Sequence, residues 1–518
     1  MSARHEELEL RVELLFCEGE IIQCVFAPVT SFLKMGTIER HKRRREKRID
    51  VDVAVNGYSA TTQQLIADWE RLCARFLPIE TKNSIWRFSR QLTSVDPEQG
   101  WKLHVSATIL SANQVLTRIG TFLRDQNILF KATRSLEELR KLNSGLYYGF
   151  SQIGKTFTIY PIDPRDAVHL ARKLHQLTLE LPAPIVPYDL RFRKKSSVFY
   201  RYGGFKEIEI QNEDGRSTFA IRDEQGALIP DTRTANHAAP NWLANPFLLR
   251  SMAQSHTGTS PLQTTVRAFE ALSQRGKGGV YRAVDLSANA PRLCLLKEGR
   301  RHGETDWDGR DGHWRVRHEG RVLARLASAG VTVPQVYTSF TVESHYYLVT
   351  EYIEGDNLQA LLSARQRKLT LTQALQFGVQ AAKLLGKIHA AGWVWRDCKP
   401  LNLIRTKSNQ LRPIDFEGAC LITRPDPSAW GTAGYAPPEW LDDSLPPSRE
   451  PEDLFALGVT LYQLFSGEIP TTRIRASTVK KLDSKVPIAV RKIISALLNP
   501  HPQHRPRAFV VSEILKGV

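Results

Sequence analysis

The stretch WVWRDCKPLNLIRTKSNQLRPIDFEG, residues 393–418, decides how the rest of the chain is read. It holds Asp397, then Lys399 two residues on, Asn402 five on, and Asp415 eighteen on inside Ile414-Asp415-Phe416. One carboxylate with a lysine close by can orient a hydroxyl and accept its proton. An amide and a second carboxylate can share a divalent cation. Phosphoryl transfer from a nucleotide requires that set, with Mg2+ bridging the phosphate oxygens. Asp397 and Lys399 are therefore the candidate catalytic residues, and Asn402 and Asp415 the candidate Mg2+ ligands.

Composition limits what can surround this stretch. At 518 residues the chain has room for about three domains. With 42% hydrophobic residues it can build real cores. The formal net charge of +17 favours acidic partners: nucleotides, phosphorylated groups and acidic peptide segments, with nucleic acid less favoured. Cys17, Cys24, Cys73, Cys294, Cys398 and Cys420 are scattered without C-x-x-C spacing, which points to a reducing compartment and no structural metal. The N-terminus MSARHEELEL is charged and no apolar run approaches membrane-spanning length, so a cytoplasmic protein is expected.

The 393–418 stretch resembles the catalytic loop and the D-F-G segment of eukaryotic-type protein kinases, with Trp395 for the loop His and Glu417 for the Gly. Working outward, RGKGGVYRAVD (275–285) lies where a phosphate-covering loop belongs. Gly278 and Val280 match its pattern, and Gly276 and Gly279 supply further freedom. Lys297, in RLCLLKEG, stands at the phosphate-pairing position, and Glu319, in WRVRHEGRVLARLA, is its expected ion-pair partner. HYYLVTEYIEG (345–355) reads as the strand and hinge for adenine, with Glu351 and Ile353 offering backbone groups. GTAGYAPPEW resembles the A-P-E segment, with Glu439 expected to pair with Arg505, and DLFALG reads as a central helix. The resemblance implies ATP or GTP with Mg2+ as cofactors.

The N-terminal half carries a different pattern. Residues 1–60 show alternation at Leu8–Leu14, a further apolar run at Ile21–Phe26, and the basic run RHKRRREKR (40–48). In WKLHVSATIL, Lys102, His104 and Ser106 share one strand face, and Leu103, Val105 and Ala107 the other. ILFKATR places Lys131 in a second apolar strand, GKTFTIYP brings Lys155, and SSVFYRYGGF sets Arg201 among aromatics. Four strands, each bringing a cation into apolar surroundings, read as a phosphate pocket. KEIEIQNEDGRSTFAIRDEQGALIPD then reads as a hairpin with turns at Glu213-Asp214-Gly215 and Gln225-Gly226, and HAAPNWLANPF as an ordered linker.

The ordered set G-W-K-x-H-V-S-A, F-K, G-K-x-x-T-I-Y-P and Y-R-Y-G-x-F, ahead of a kinase pattern, resembles class III lanthipeptide synthetases. These join a phosphoserine/phosphothreonine lyase to a kinase and a cyclase. The resemblance implies Lys131 as the base for the α-proton and His104 as the acid for the departing phosphate. It implies Lys102 and Arg201 as cations for phosphate or enolate, with Arg191 and Lys155 as further phosphate-binding candidates. Chemically, a lysine base must be neutral, and burial and nearby cations both lower its pKa. A histidine can protonate a leaving phosphate near neutral pH.

The expected fold class is therefore α+β and multidomain, a phosphothreonine-lyase-like domain followed by a two-lobed kinase-like domain. The boundaries expected are 1–60 (extension), 61–205 (lyase), 206–260 (hairpin and linker) and 261–518 (kinase), with no cyclase after it. The expected function is a bifunctional dehydratase that phosphorylates Ser or Thr of a precursor peptide, one with an acidic leader fitting the basic chain, and then eliminates phosphate. Uncyclised product and a separate cyclase are implied. Two other classes stay open: a signalling kinase with a phosphopeptide-binding N-terminal domain, and an inactive scaffold, suggested by Trp395 and Glu417.

Overall fold

The computed structural model describes residues 59–211, 215, 217–232, 239–247, 265–364, 369–427, 430–432, 434–441, 450–468 and 474–518. The expected strands near 8–26, the basic run 40–48, Glu213-Asp214 of the first turn and the kinase start at Pro261 lie outside them.

Helix α1 (Ala60–Phe76) opens the N-terminal domain, its first turn capped by Ser59, whose Oγ accepts from Thr62 N at 3.2 Å. Then come β1 (Ile79–Glu80), β2 (Trp86–Phe88), β3 (Gln99–Val105), α2 (Ala112–Asp125), β4 (Leu129–Thr133), α3 (Leu136–Ser144), β5 (Phe157–Tyr160), α4 (Pro164–Thr178), β6 (Leu190–Arg191) and β7 (Val198–Gly204). The strands form one antiparallel sheet in the order β1-β2-β4-β5-β3-β7-β6. Leu103, Val105, Phe130, Phe157, Ile159 and Val198 point to one face and are buried against α1, α2 and α4. The helices supply Leu116, Ile119, Leu123, Leu170 and Leu174, spaced three and four apart. Each such side chain contributes about 1.5–3 kcal/mol on leaving water. Helix packing is thus confined to one sheet face, and the residues between these positions look the other way.

Strands β8 (Glu209–Gln211), β9 (Ser217–Arg222) and β10 (Leu228–Pro230) form a separate antiparallel sheet. The expected hairpin is therefore a three-stranded meander, because the second turn signal also closes a strand pair. Asp223 Oδ1 accepts from Gln225 N and Ala227 N at 3.0 and 2.8 Å, and Gly226 takes φ +84°.

The C-terminal domain opens with a five-stranded antiparallel sheet of β11 (Val266–Arg275), β12 (Gly278–Asp285), β13 (Arg292–Gly299), β14 (Val336–Val342) and β15 (His345–Glu351). Helix α5 (Gly312–Ser328) lies between β13 and β14 in sequence and packs on β13 and β15. After β16 (Asp356–Asn357) the chain is mainly helical: α6 (Leu358–Ala364), α7 (Leu371–Ala390), α8 (Glu450–Ser466), α9 (Ile488–Leu497) and α10 (Ala508–Lys516). Short strands β17 (Trp393–Val394), β18 (Leu403–Arg405), β19 (Leu411–Pro413) and β20 (Cys420–Leu421) lie between α7 and α8. Residues Glu452–Ser466 of α8 are all buried, as an apolar-all-round helix must be, so α8 is the axis of the helical lobe.

The two domains touch. Gly276 N donates to Ser144 O at 3.0 Å, and a Cβ at Gly276 would sit 1.7 Å from Asn143 O, so only glycine fits. The Arg300 guanidinium lies 5.4 Å from the Phe150 ring, and Trp307 packs against the N-terminal core. Among the described residues no helix is long and apolar enough to cross a membrane.

Candidate functional site

In the C-terminal domain, α8 carries Asp453 to the underside of the 393–418 stretch. Its carboxylate accepts from Trp395 N (2.7 Å), Arg396 N (2.6 Å) and His389 Nε2 (2.9 Å). These bonds hold Arg396 at φ +69°, a conformation that non-glycine residues adopt only when their surroundings impose it. Asp397 follows, its Oδ2 accepting from Lys399 Nζ (2.6 Å) and Asn402 Nδ2 (2.8 Å), and its Oδ1 from Thr432 (3.1 Å). Lys399 also donates to Thr432 Oγ1 at 2.6 Å.

Lys297 on β13 donates to both carboxylate oxygens of Glu319 on α5 at 2.7 Å. Glu319 Oε1 also accepts from Phe416 N at 3.2 Å, which ties the helix to the segment carrying Asp415. Trp395 and Phe416 stack with ring centres 5.3 Å apart, and the Trp395 indole donates to Asp415 O at 3.0 Å. Trp395, like the His that the motif has at this position, thus offers a ring N–H donor, here bonded to the backbone of Asp415. Glu417 has no positive φ and makes an ion pair with Lys277, so a glycine is not demanded there. Asp426 pairs with Arg310 and lies 3.6 Å from Arg396, joining the catalytic loop to the segment before α5.

The electrostatics divide the two carboxylates. Burial pushes the Asp397 carboxyl up, with Asp415 adding to the rise and Lys399 opposing it. Burial also works against ionised Asp415, but Lys297, Lys277 and Lys399 outweigh it and hold that carboxyl down. A pair pushed apart in this way suits one proton acceptor and one permanently charged ligand. With Nδ2 of Asn402 committed to Asp397, Oδ1 is the atom that can meet a cation. Asp415 and Asn402 Oδ1 are hard oxygen donors and fit Mg2+, which takes only one or two protein groups when phosphates complete its shell.

Of the expected loop glycines, Gly278 has φ +147°, and a Cβ there would lie 1.8 Å from Glu298 O. Gly276 is needed by the N-terminal domain, as above, while Gly279 and Val280 continue β12, with Val280 opposite Lys297. At the hinge, Glu351 N donates to Gln335 O (2.8 Å) and the Glu351 side chain binds Arg412 (2.8 and 3.1 Å). The Glu351 carbonyl accepts from Thr350 Oγ1 at 3.5 Å, and Ile353 beyond it is partly buried. Glu439 and Arg505 form the expected buried pair at 2.6 and 2.7 Å.

In the N-terminal domain, register places the cations. Phe88 pairs with Lys131, Lys131 with Thr158, Thr158 with His104, His104 with Phe199 and Phe199 with Arg191. These residues form one row across the sheet face that the helices leave uncovered. Lys131 and His104 flank β5, so their backbones stand about 9–10 Å apart, room for one phosphorylated residue between them. Lys102 and Arg201 form the neighbouring pair on the same face. Lys131 Nζ lies 4.5 Å from the Trp86 ring and 5.7 Å from that of Phe88, and Lys102 Nζ lies 5.9 Å from Tyr160. Arg191 is exposed, its guanidinium 5.0 Å from the Phe199 ring.

Two acids missing from the sequence reading anchor this face. Asp189, its side chain fully buried, pairs with His104 Nδ1 and, at 3.2 Å, with Lys155 Nζ. Asp231, just after β10, pairs with buried Arg201, whose guanidinium fills the space left by Gly203. Burial works against the Asp189 charge, yet Lys155, His104 and Arg201 hold its carboxyl well below the usual range. Burial pushes His104 down to about 3 against the pull of Asp189, with Lys155 and Lys102 adding to the fall. In the free protein His104 is therefore a neutral imidazole whose Nδ1 faces a carboxylate and whose Nε2 remains for a ligand. In the sequence Asp231 opens a D-x-R stretch and Asp189 is the single acid in PYDLRFRKK, and neither pattern names a partner.

Comparison with known proteins separates the same two regions. Residues 77–259 match the RamC N-terminal domain, and residues 272–516 match the protein kinase domain. The chain joins a RamC N-terminal domain to a protein kinase domain. It is similar to the probable SapB synthase of Streptomyces coelicolor, 29% identical over 74% of this chain and 41% of that protein. Its kinase domain is similar to the 3-phosphoinositide-dependent protein kinase 1 of Arabidopsis thaliana, 31% identical over 37% of this chain and 43% of that one. It is also similar to serine/threonine-protein kinase B of Synechocystis, 29% identical over 39% of this chain and 37% of that protein. The chain thus spans less than half the length of each of these relatives. The kinase match starts just ahead of the Gly276–Gly279 turn and includes every nucleotide-side residue described above, whereas the RamC N-terminal match includes His104, Lys131, Asp189, Arg201 and Asp231.

Proposed function

We propose that this chain is a two-step peptide dehydratase of the lanthipeptide type. The carrying observation is that one chain holds two separate charged centres: the Lys297–Glu319/Asp397/Asp415 set, and the His104–Lys131 row with its cations. In the first step Asp397 accepts the proton of a peptide Ser or Thr hydroxyl while Lys399 and Lys297 balance phosphate charge. Asp415 and Asn402 would hold Mg2+, whose charge would offset that developing on the transferred phosphate. In the second step neutral Lys131 takes the α-proton. The electron pair forms the Cα–Cβ double bond as the Cβ–O bond breaks, and His104 protonates the departing phosphate. Lys102 and Arg201 stabilise the enolate and the phosphate, with Arg191 and Lys155 as outer cations. Dehydroalanine or dehydrobutyrine and inorganic phosphate result.

The test is the mass spectrum of a Ser/Thr peptide with an acidic leader after incubation with the protein, ATP and Mg2+. Net loss of one water per reacting residue is expected. A stable phosphoryl gain would leave only a kinase, and an unchanged mass across peptides that include the natural precursor would remove the dehydratase reading.

His104 gives this reading a pH signature. Its pKa is near 3 in the free protein, and a bound phosphate dianion must raise it if the imidazole is to act as an acid. Protons then bind more strongly in the complex than in the free protein, so affinity rises as pH falls between the two values. Phosphopeptide binding to the Lys131→Ala protein, which cannot turn it over, should take up about one more proton at pH 7 than binding to the Lys131→Ala/His104→Ala protein. Calorimetry in buffers of different ionisation enthalpy reads that difference. Equal uptake by both proteins would rule His104 out as the acid.

A further inference from the structure

The nucleotide site contains a lysine that the reaction described above does not use. Strands β11 and β12 pair out to Arg275 opposite Gly278, which leaves Gly276 and Lys277 as a two-residue turn. Both turn residues are pinned by backbone bonds. Gly276 N donates to Ser144 O at 3.0 Å, and Lys277 O accepts from Arg300 N at 2.8 Å. A lysine at a hairpin tip is ordinarily solvated, but this one turns inward and pairs with Glu417, two residues beyond Asp415. Its side chain is only 21% exposed. Burial alone would lower its pKa, yet Glu417, Asp415 and Glu304 more than reverse that and keep the ammonium charged. Lys297 lies close enough to feel Asp415 and Glu417 as well, so two ammonium groups converge on the same carboxylates. The glutamate that stands for the glycine after Asp415-Phe416 is thus the partner of the lysine at the loop tip.

We propose that Lys277 is a phosphate-binding residue of the kinase site, held in place by Glu417 until a nucleoside triphosphate arrives and then donating to its terminal phosphates. The proposal rests on the kinase reading of that site. Lys277 reaches the carboxylates that Lys297 also faces, and a charged donor there complements phosphate oxygens rather than the base or the ribose. Glu417 serves as a positioning residue, since it keeps a flexible four-carbon side chain inside the cleft.

The alternative is a strut that merely ties the loop to the Asp415–Glu417 segment, and nucleotide length distinguishes the two. Binding of adenosine, ADP and a non-transferable ATP analogue, each with Mg2+, is measured for the unmodified protein and for Lys277→Ala, Lys277→Arg and Glu417→Gln. A phosphate contact predicts that Lys277→Ala weakens the ATP analogue by about 10–100-fold while adenosine stays within about twofold. Lys277→Arg, which keeps the charge, should stay within about threefold, and Glu417→Gln should cost less than Lys277→Ala because the ammonium remains. Equal losses for adenosine and the ATP analogue, or no loss for the analogue, would overturn the proposal. Failure of the unmodified protein to bind any of the three would instead overturn the kinase reading itself.

Discussion

In the Asp397→Asn protein, peptide phosphorylation should fall by about 10²–10⁴-fold while elimination from a synthetic phosphopeptide proceeds at the normal rate. Asparagine keeps the shape that Lys399, Thr432 and the Asn402 amide surround, so the loop should hold its course. What is lost is the proton acceptor and the negative charge that Lys399 meets at 2.6 Å. Burial with Asp415 nearby keeps the Asp397 carboxyl above its ordinary range, which strengthens it as a base. The neutral amide has neither property. Elimination should be untouched because His104, Lys131 and Arg201 lie on the other domain's sheet, with Asp189 just before its β6 strand. Two assays on one preparation check this: phosphoryl incorporation from labelled ATP, and phosphate release from the phosphopeptide. Loss of both together would mean that the two centres do not work separately.

What the sequence discloses follows from how far apart the interacting residues lie along the chain. Asp397, Lys399 and Asn402 lie within one loop, so their spacing alone displays the chemistry. Alternation along Gln99–Val105 also shows which side chains share a face, because the pleat permits no other arrangement. The acids that complete each site come from far away. Asp189 is 85 residues from His104, Asp231 is 30 from Arg201, and Glu417 is 140 from Lys277. No local periodicity relates such positions, because only tertiary packing chooses a buried cation's partner. Trp395 illustrates the opposite limit. In the sequence it reads as damage to a motif, whereas in the fold its indole N–H reaches Asp415 O at 3.0 Å. Either ring carries an N–H donor, so the change of residue need not remove one. The domain contact at Gly276–Ser144 was illegible for a further reason: a glycine chosen for close approach looks the same in sequence as one chosen for loop freedom.

Replacing Lys131 should stop the reaction halfway. With Lys131→Ala the kinase centre is unchanged, so peptide is still phosphorylated, and the phosphopeptide, normally a passing intermediate, should accumulate until the peptide is exhausted. The fold should tolerate the change. Lys131 is partly exposed in the middle of β4, its Nζ 4.5 Å from the Trp86 ring and 5.7 Å from that of Phe88, so truncation leaves the buried face of the strand intact. Alanine alone cannot say whether Lys131 removes a proton or merely binds phosphate, so Lys131→Arg is the decisive companion. Arginine can reach the same rings and can bind phosphate, but it stays protonated throughout the accessible pH range. A phosphate-binding cation would survive that exchange largely intact. A base would not, and Lys131→Arg should accumulate phosphopeptide as fully as Lys131→Ala. Arg201→Ala should behave differently again, with partial recovery at high phosphopeptide concentration, because it weakens binding before it weakens chemistry. The readout is the ratio of phosphorylated to dehydrated peptide by mass spectrometry over time. Dehydrated product at the normal rate from folded Lys131→Arg protein would leave Lys131 a binding residue and return the search for the base to the remaining members of the row.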